Sequence, residues 1–161
     1  MTRGRFIRRA LVAPLSHGTC LMSELARLRD DHLTLGRLFR RLGDVIEQQD
    51  PPPQVELFEL RRELVSTLLA HLKLEDWALY PRLIGSADPT ISATGQWFKD
   101  EMGGLAPAFL AYSEKWNAGT IDADWAGYCR DTRGILDALR NRLARENREL
   151  LPLLERLDRA A

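Results

Sequence analysis

SELARLRDDHLTLGRLFRRLGDVIEQQ, residues 23–49, places Leu25, Leu28, His32, Leu35, Phe39, Leu42 and Ile46 at steps of three and four. That period belongs to one face of an α-helix, so the spacing predicts a helix over 23–49 with its stripe turned toward a core. Asp50 and the prolines at 51, 52 and 53 stop it.

The same period returns three times. A second helix is predicted over 53–84, carrying Leu57, Leu60, Leu64, Leu68, His71, Glu75 and Leu79 and closing at Gly85. Asp88 and Pro89 supply a cap and first turn for a third helix, which carries Phe98, Met102, Leu105, Phe109, Tyr112 and Trp116 before Asn117 and Gly119 end it. A fourth is predicted from near Asp122 to Leu157, with Ile135, Leu139, Arg142, Glu146, Leu150, Leu153 and Leu157 on one face. Nothing alternates with the period of a strand. Amphipathic helices joined by short loops bury their stripes by packing together, and the expected fold is all-α, an antiparallel up-down-up-down four-helix bundle.

Composition agrees with one globular domain. The chain has 161 residues, 45% of them hydrophobic and 29% charged, and 23 basic residues balance 23 acidic ones. A neutral balance argues against a nucleic-acid or anionic-membrane partner. Cys20 and Cys129 form neither a disulfide framework nor a zinc spacing, which points to a reducing cytoplasm. No apolar run approaches the roughly 20 residues of a membrane-spanning helix. Arg3, Arg5, Arg8 and Arg9 precede a short apolar run broken by Pro14, so residues 1–21 read as a basic, disordered arm and 22–161 as the bundle; Met22 would itself serve as a start.

The stripes contain more than apolar side chains. His32, His71, Glu75, Arg142 and Glu146 all fall on positions that face the bundle interior, where an ionisable group must be paired, hydrogen-bonded or metal-bound. Two segments also match each other: HLKLEDWALYP (71–81) and RLARENRELLP (142–152) each set a carboxylate four residues, and a proline ten residues, after a first slot. That slot is His71 in one and Arg142 in the other. Residues four apart lie one turn apart, so His71 and Glu75 present a ring nitrogen and a carboxylate to one ion, with Glu146 and His32 approaching from other helices. Imidazole and carboxylate together suit iron, manganese or zinc.

The runs DDHLTLGRLFRRL, HLKLEDWALYPRL and RENRELLPLLERL together resemble the hemerythrin-like, or HHE cation-binding, family over residues 23–157. The resemblance implies a four-helix bundle around a non-haem di-iron centre, used for oxygen binding, oxygen or nitric oxide sensing, iron storage or repair of iron–sulfur centres. It matches His32 to the first-helix histidine, His71 and Glu75 to the second-helix pair, and Glu146 to the last carboxylate. It also exposes departures. The third helix has Met102 and Ala106 where the family sets histidines, and Arg142 stands where the fourth helix should carry one. In the family's arrangement this leaves one metal's ligands complete and removes every imidazole of the other.

The expectation is therefore a metal-binding or sensing protein with an incomplete di-iron centre, retaining ligands for at most one divalent metal, iron first. A regulatory role in an oxygen, nitric oxide or iron response follows from the resemblance. The alternative is a metal-free interaction module in which Arg142 pairs with Glu75 and Glu146 in place of the second metal. A di-iron carrier or redox enzyme needs ligands that the chain lacks, so the reading leans away from an enzyme and assigns no catalytic residue. Two carboxylates and one guanidinium leave the cluster negative by one, which a proton on His32 or His71 would balance; a divalent metal makes it positive by one. Individual side chains have plainer roles open to them: His32 and His71 as satisfied core histidines, Met102 as plain core, and Arg142 reaching outward to the surface. Glu101 could instead swing inward as a substitute ligand. The glycines at 103 and 104 followed by Pro107 predict a bend in the third helix. Trp77, Trp97 and Trp125, off the stripes, are candidates for a second contact surface. The partners in view are an unidentified protein, a small diatomic ligand and a second copy of the chain.

Overall fold

The computed structural model describes residues 17–160, with side chains from residue 24 onward except those of Met102, Asp158 and Ala160. The basic segment 1–16 and the plain-core reading of Met102 lie outside the described residues. The first rod of the bundle is α1 (His17–Ile46). The second joins α2 (Gln54–Leu74), a π-helical turn (Glu75–Leu79) and α3 (Tyr80–Ile84). The third comprises α4 (Pro89–Met102) and α5 (Leu105–Lys115), after which α6 (Ala118–Ala123) is a short connector. The fourth joins α7 (Trp125–Arg145), a second π turn (Glu146–Leu150) and α8 (Leu151–Ala160). Among the described residues there is no strand, and the architecture is the expected up-down-up-down bundle.

The boundaries differ from the periodicity in three places. No proline interrupts residues 17–23, and the described part of α1 takes in the last residues of the segment read as an arm. The bend expected at Gly103 and Gly104 is a complete break, with both residues in right-handed backbone geometry between two separate helices. The break places Pro107 in the first turn of α5, where its missing N–H has no intrahelical partner to lose. Asn117 starts a helix as well as ending one: its side chain accepts from the Thr120 N–H at 3.2 Å. Asp124 then caps α7 by accepting from the Gly127 N–H at 2.8 Å, so the fourth rod starts later than Asp122.

The two π turns lie outside the sequence expectation. In each, the backbone N–H just beyond the turn bonds to the glutamate carbonyl five residues back, Tyr80 to Glu75 and Leu151 to Glu146. Pro81 and Pro152 follow directly. A proline in an α-helix lacks the N–H for the carbonyl four residues earlier and crowds that carbonyl, and the wider turn relieves both. It also shifts the helical phase by one residue. Tyr80 joins Leu79 in the interior, and beyond the second turn Leu151 and Leu154 are buried while Leu153 and Leu157 are only half-buried.

Two apolar clusters fill the bundle. One gathers Leu35, Leu38, Phe39, Leu42, Leu64, Leu68, Phe109, Tyr128, Leu136 and Leu139; the other gathers Leu25, Leu28, Tyr80, Leu83, Phe98, Leu150 and Leu154. In the second, Gly95 lets α4 close against α3, since a Cβ there would stand 2.6 Å from the Leu83 Cβ. The inward ionisable residues lie between these clusters on every rod that carries them: His32 between Leu28 and Leu35, His71 and Glu75 between Leu68 and Leu79, Arg142 and Glu146 between Leu139 and Leu150. Apolar packing on both sides excludes water from that layer and raises the cost of any unpaired charge within it.

Candidate metal centre

His32, His71, Glu75, Arg142 and Glu146 are each no more than 6% exposed and form one cluster. Arg142 points inward. Its Nε donates to Glu146 Oε1 and its Nη2 donates to Glu75 Oε2, tying α7 to the second rod. Nη2 also donates to the Tyr80 hydroxyl at 3.3 Å.

Each carboxylate thus turns one oxygen toward the guanidinium and the other toward the imidazoles. His32 Nε2 lies 3.3 Å from Glu146 Oε2, and His71 Nε2 lies 3.6 Å from both Glu75 Oε1 and Glu146 Oε2. The two rings meet edge to face, with centroids 4.8 Å apart. These four atoms are buried and have no hydrogen-bond partner. One ligating atom from each of the four residues lies within 4.8 Å of the others.

The outer nitrogens of the rings face acceptors. His32 Nδ1 is 2.8 Å from Asn147 Oδ1, so a proton on Nδ1 would be held by that oxygen and leave the Nε2 lone pair available to an ion. His71 Nδ1 faces the Asp31 carboxylate at 3.8 Å. Partners of this kind orient metal-binding histidines in general. Three of the pairs, at 3.3–3.6 Å, have the spacing of neighbouring ligand atoms around an ion with bonds of about 2.0–2.2 Å, and all four atoms lie within 4.8 Å of one another. The donor set fits a divalent ion.

Electrostatics separates the two carboxylates. Burial, followed by the charge of Glu146, raises Glu75 well above the usual carboxylate range, and Arg142 only partly offsets this. Burial also works against Glu146, but the facing His32 and His71 rings and the Arg142 guanidinium outweigh it and hold Glu146 well below that range. Burial and the nearby Glu75 charge push Tyr80 up, so its hydroxyl stays protonated. Burial opposes the charge on Arg142, yet the two glutamates more than compensate and raise it.

A family model, the hemerythrin HHE cation-binding domain, matches residues 23–154. The chain belongs to the hemerythrin HHE family. Neither the curated proteins nor the solved structures compared with it give a match. The family's description as a cation-binding domain agrees with the cluster of His32, His71, Glu75 and Glu146 in this hemerythrin bundle.

The remaining candidates from the sequence fall elsewhere. Glu101 does not swing inward: it is exposed and accepts from Arg145 Nη1 at 2.8 Å. The cause is local, since the Arg145 guanidinium, lying 4.2 Å over the Trp97 ring, offers a cation on the outer side. Ala106, half-buried against the first apolar cluster, brings no donor. The three tryptophans differ in their surroundings. Trp77 is 75% exposed, Trp97 meets Phe98 edge to face and lies beneath Arg145, and Trp125 stacks on Tyr128. Tyr80, Asn147 and Asp31 are the site neighbours that periodicity missed. Tyr80 enters through the π-turn phase shift, for which the matched prolines were the available signal, and Asp31 stands beside His32 in the DH pair.

Proposed function

We propose that this hemerythrin HHE chain holds a single divalent metal, iron in the first instance, on His32, His71, Glu75 and Glu146, and acts as a regulatory protein whose metal occupancy alters its contact with a partner. One observation carries the reading: four buried ligand atoms from three helical rods converge with their hydrogen-bonding capacity unused. Unused buried polar atoms cost free energy, and an ion recovers it.

The chain's own residues determine the rest. Asn147 and Asp31 face the outer nitrogens of the imidazoles, and Arg142 occupies the far oxygens of both carboxylates, which supports one ion where the family resemblance implies two. When bound, the ion supplies a Lewis-acid centre able to respond to a small diatomic molecule such as oxygen or nitric oxide. The apolar clusters on either side keep that centre dry. No helix among the described residues is long and apolar enough to cross a membrane, and the cytoplasm remains the proposed location.

A second reading rests on Arg142 alone. Because the guanidinium bonds both glutamates, the core has a cation without any metal, and the protein would then be a metal-free interaction module. Elemental analysis of untagged protein, purified anaerobically after growth with added iron, separates the readings, with His71→Ala as control. Near one metal per chain, lost in the control, is the expected result. Near two would sink the single-ion site, and well-folded protein free of metal would favour the module.

A further inference from the structure

The arrangement of charges around the cluster bears on which ion it accepts as well as where the ion sits. We propose that Arg142 makes the centre selective for a divalent over a trivalent ion, and so holds bound iron in the ferrous state. This rests on the reading that His32, His71, Glu75 and Glu146 bind a metal.

The geometry gives Arg142 a fixed place in the outer shell. Its Nη2 and Nε take the far oxygens of Glu75 and Glu146, whose near oxygens face the imidazoles. The guanidinium is therefore one carboxylate away from the ion along two separate bridges. It is buried, and arginine does not lose its proton in proteins. Both imidazoles enter the charge balance as neutral ligands. Against Arg142 stand three carboxylates: the two glutamates and Asp31, which faces His71. These groups leave a net charge of minus two, and a divalent ion brings the cluster to zero. Without Asp31, which the sequence showed only as a neighbour of His32, the same ion leaves an excess positive charge.

A trivalent ion adds one surplus positive charge in a layer with apolar packing on both sides, where charge is poorly screened. Two acids near this end of the layer are already engaged, because Glu101 of α4 and Glu149 of the second π turn pair with Arg145 on the outer side. Tyr80, whose hydroxyl accepts from Arg142, stays neutral. Loss of one electron from ferrous iron, with no proton transferred, creates that surplus beside the guanidinium. Arg142 thus raises the reduction potential and disfavours the ferric ion.

The test uses the full chain loaded anaerobically with ferrous iron, in wild-type, Arg142→Gln and Arg142→Lys forms. Iron content is measured first, and the midpoint potential is then read by mediated spectroelectrochemical titration. Arg142→Gln is expected to shift the ferric-to-ferrous affinity ratio at least tenfold toward ferric, a fall of about 59 mV for a one-electron couple, while Arg142→Lys keeps the charge and most of the potential. The redox-inert pair zinc(II) and gallium(III) should show the same tenfold change in relative affinity. An unchanged or higher midpoint in Arg142→Gln, with iron bound, overturns this proposal and leaves the site standing. Absence of iron from the wild type overturns both. Should Arg142→Gln fail to fold, the wild type decides: Mössbauer spectra after equilibration in air are expected to show ferrous iron, and ferric iron would overturn the proposal.

Discussion

Glu75 and Glu146 occupy equivalent places on two rods of the bundle: each opens a π turn, each gives one oxygen to Arg142, and each turns the other toward an imidazole. A carboxylate divided in this way can link a fixed cation on one side to an ion on the other. The pairing spans 67 residues between Glu75 and Arg142, so it ties helices that are distant in the chain. Its consequences can be measured separately.

Asn147 fixes the His32 ring from outside the cluster. Asn147→Ala removes the acceptor 2.8 Å from Nδ1 and frees the ring to rotate or change tautomer. Metal affinity should fall about 10- to 100-fold by chelator competition, with helicity unchanged because Asn147 is otherwise exposed. An unaltered affinity would remove Asn147 from the metal's support.

The phase shift of the second π turn predicts an inequality. Leu154 is 2% exposed, whereas Leu153 is only half-buried. Leu154→Ala should cost about 2–5 kcal/mol in urea unfolding, the usual range for emptying a buried leucine site, and Leu153→Ala less than half as much. The reverse order would mean that the uninterrupted α-helical stripe is correct and the turn absent.

Glu101 and Arg145 form an external clasp, separate from the ion. Glu101→Gln should leave metal content per chain unchanged and alter stability by no more than about 1 kcal/mol, as expected for an exposed ion pair. Loss of metal in that variant would restore Glu101 as a ligand.

Metal affinity should rise with pH. Burial and Glu146 raise the Glu75 carboxyl, so the folded, metal-free chain keeps a proton there above the ordinary value of 4.5, and that proton competes with the ion. Glu146, held low, is ionised throughout and does not compete. The sign follows: affinity increases with pH as the Glu75 proton is lost. Titrations by isothermal calorimetry in buffers of different ionisation enthalpy should register more protons released per metal at the acid end than at the alkaline end.

Local pattern alone assigns the four rods and the membership of the polar layer. Period and breakers are local, and a residue's place on a helix face follows from its spacing to neighbours within a few turns, which is why His32, His71, Glu75, Arg142 and Glu146 could be assigned to one interior. It also marked Gly103, Gly104 and Pro107 as a weak point in the third rod. Only the tertiary structure decided how the layer is wired. The direction of Arg142, the outward turn of Glu101, and the meeting of His32 with Asn147 across 115 residues depend on rotamers and on distances between rods, which no local pattern encodes. The π turns lie between these cases: their prolines were visible at matched positions, but packing of Tyr80 and Leu154 in the second apolar cluster shows which phase the helices adopt beyond them.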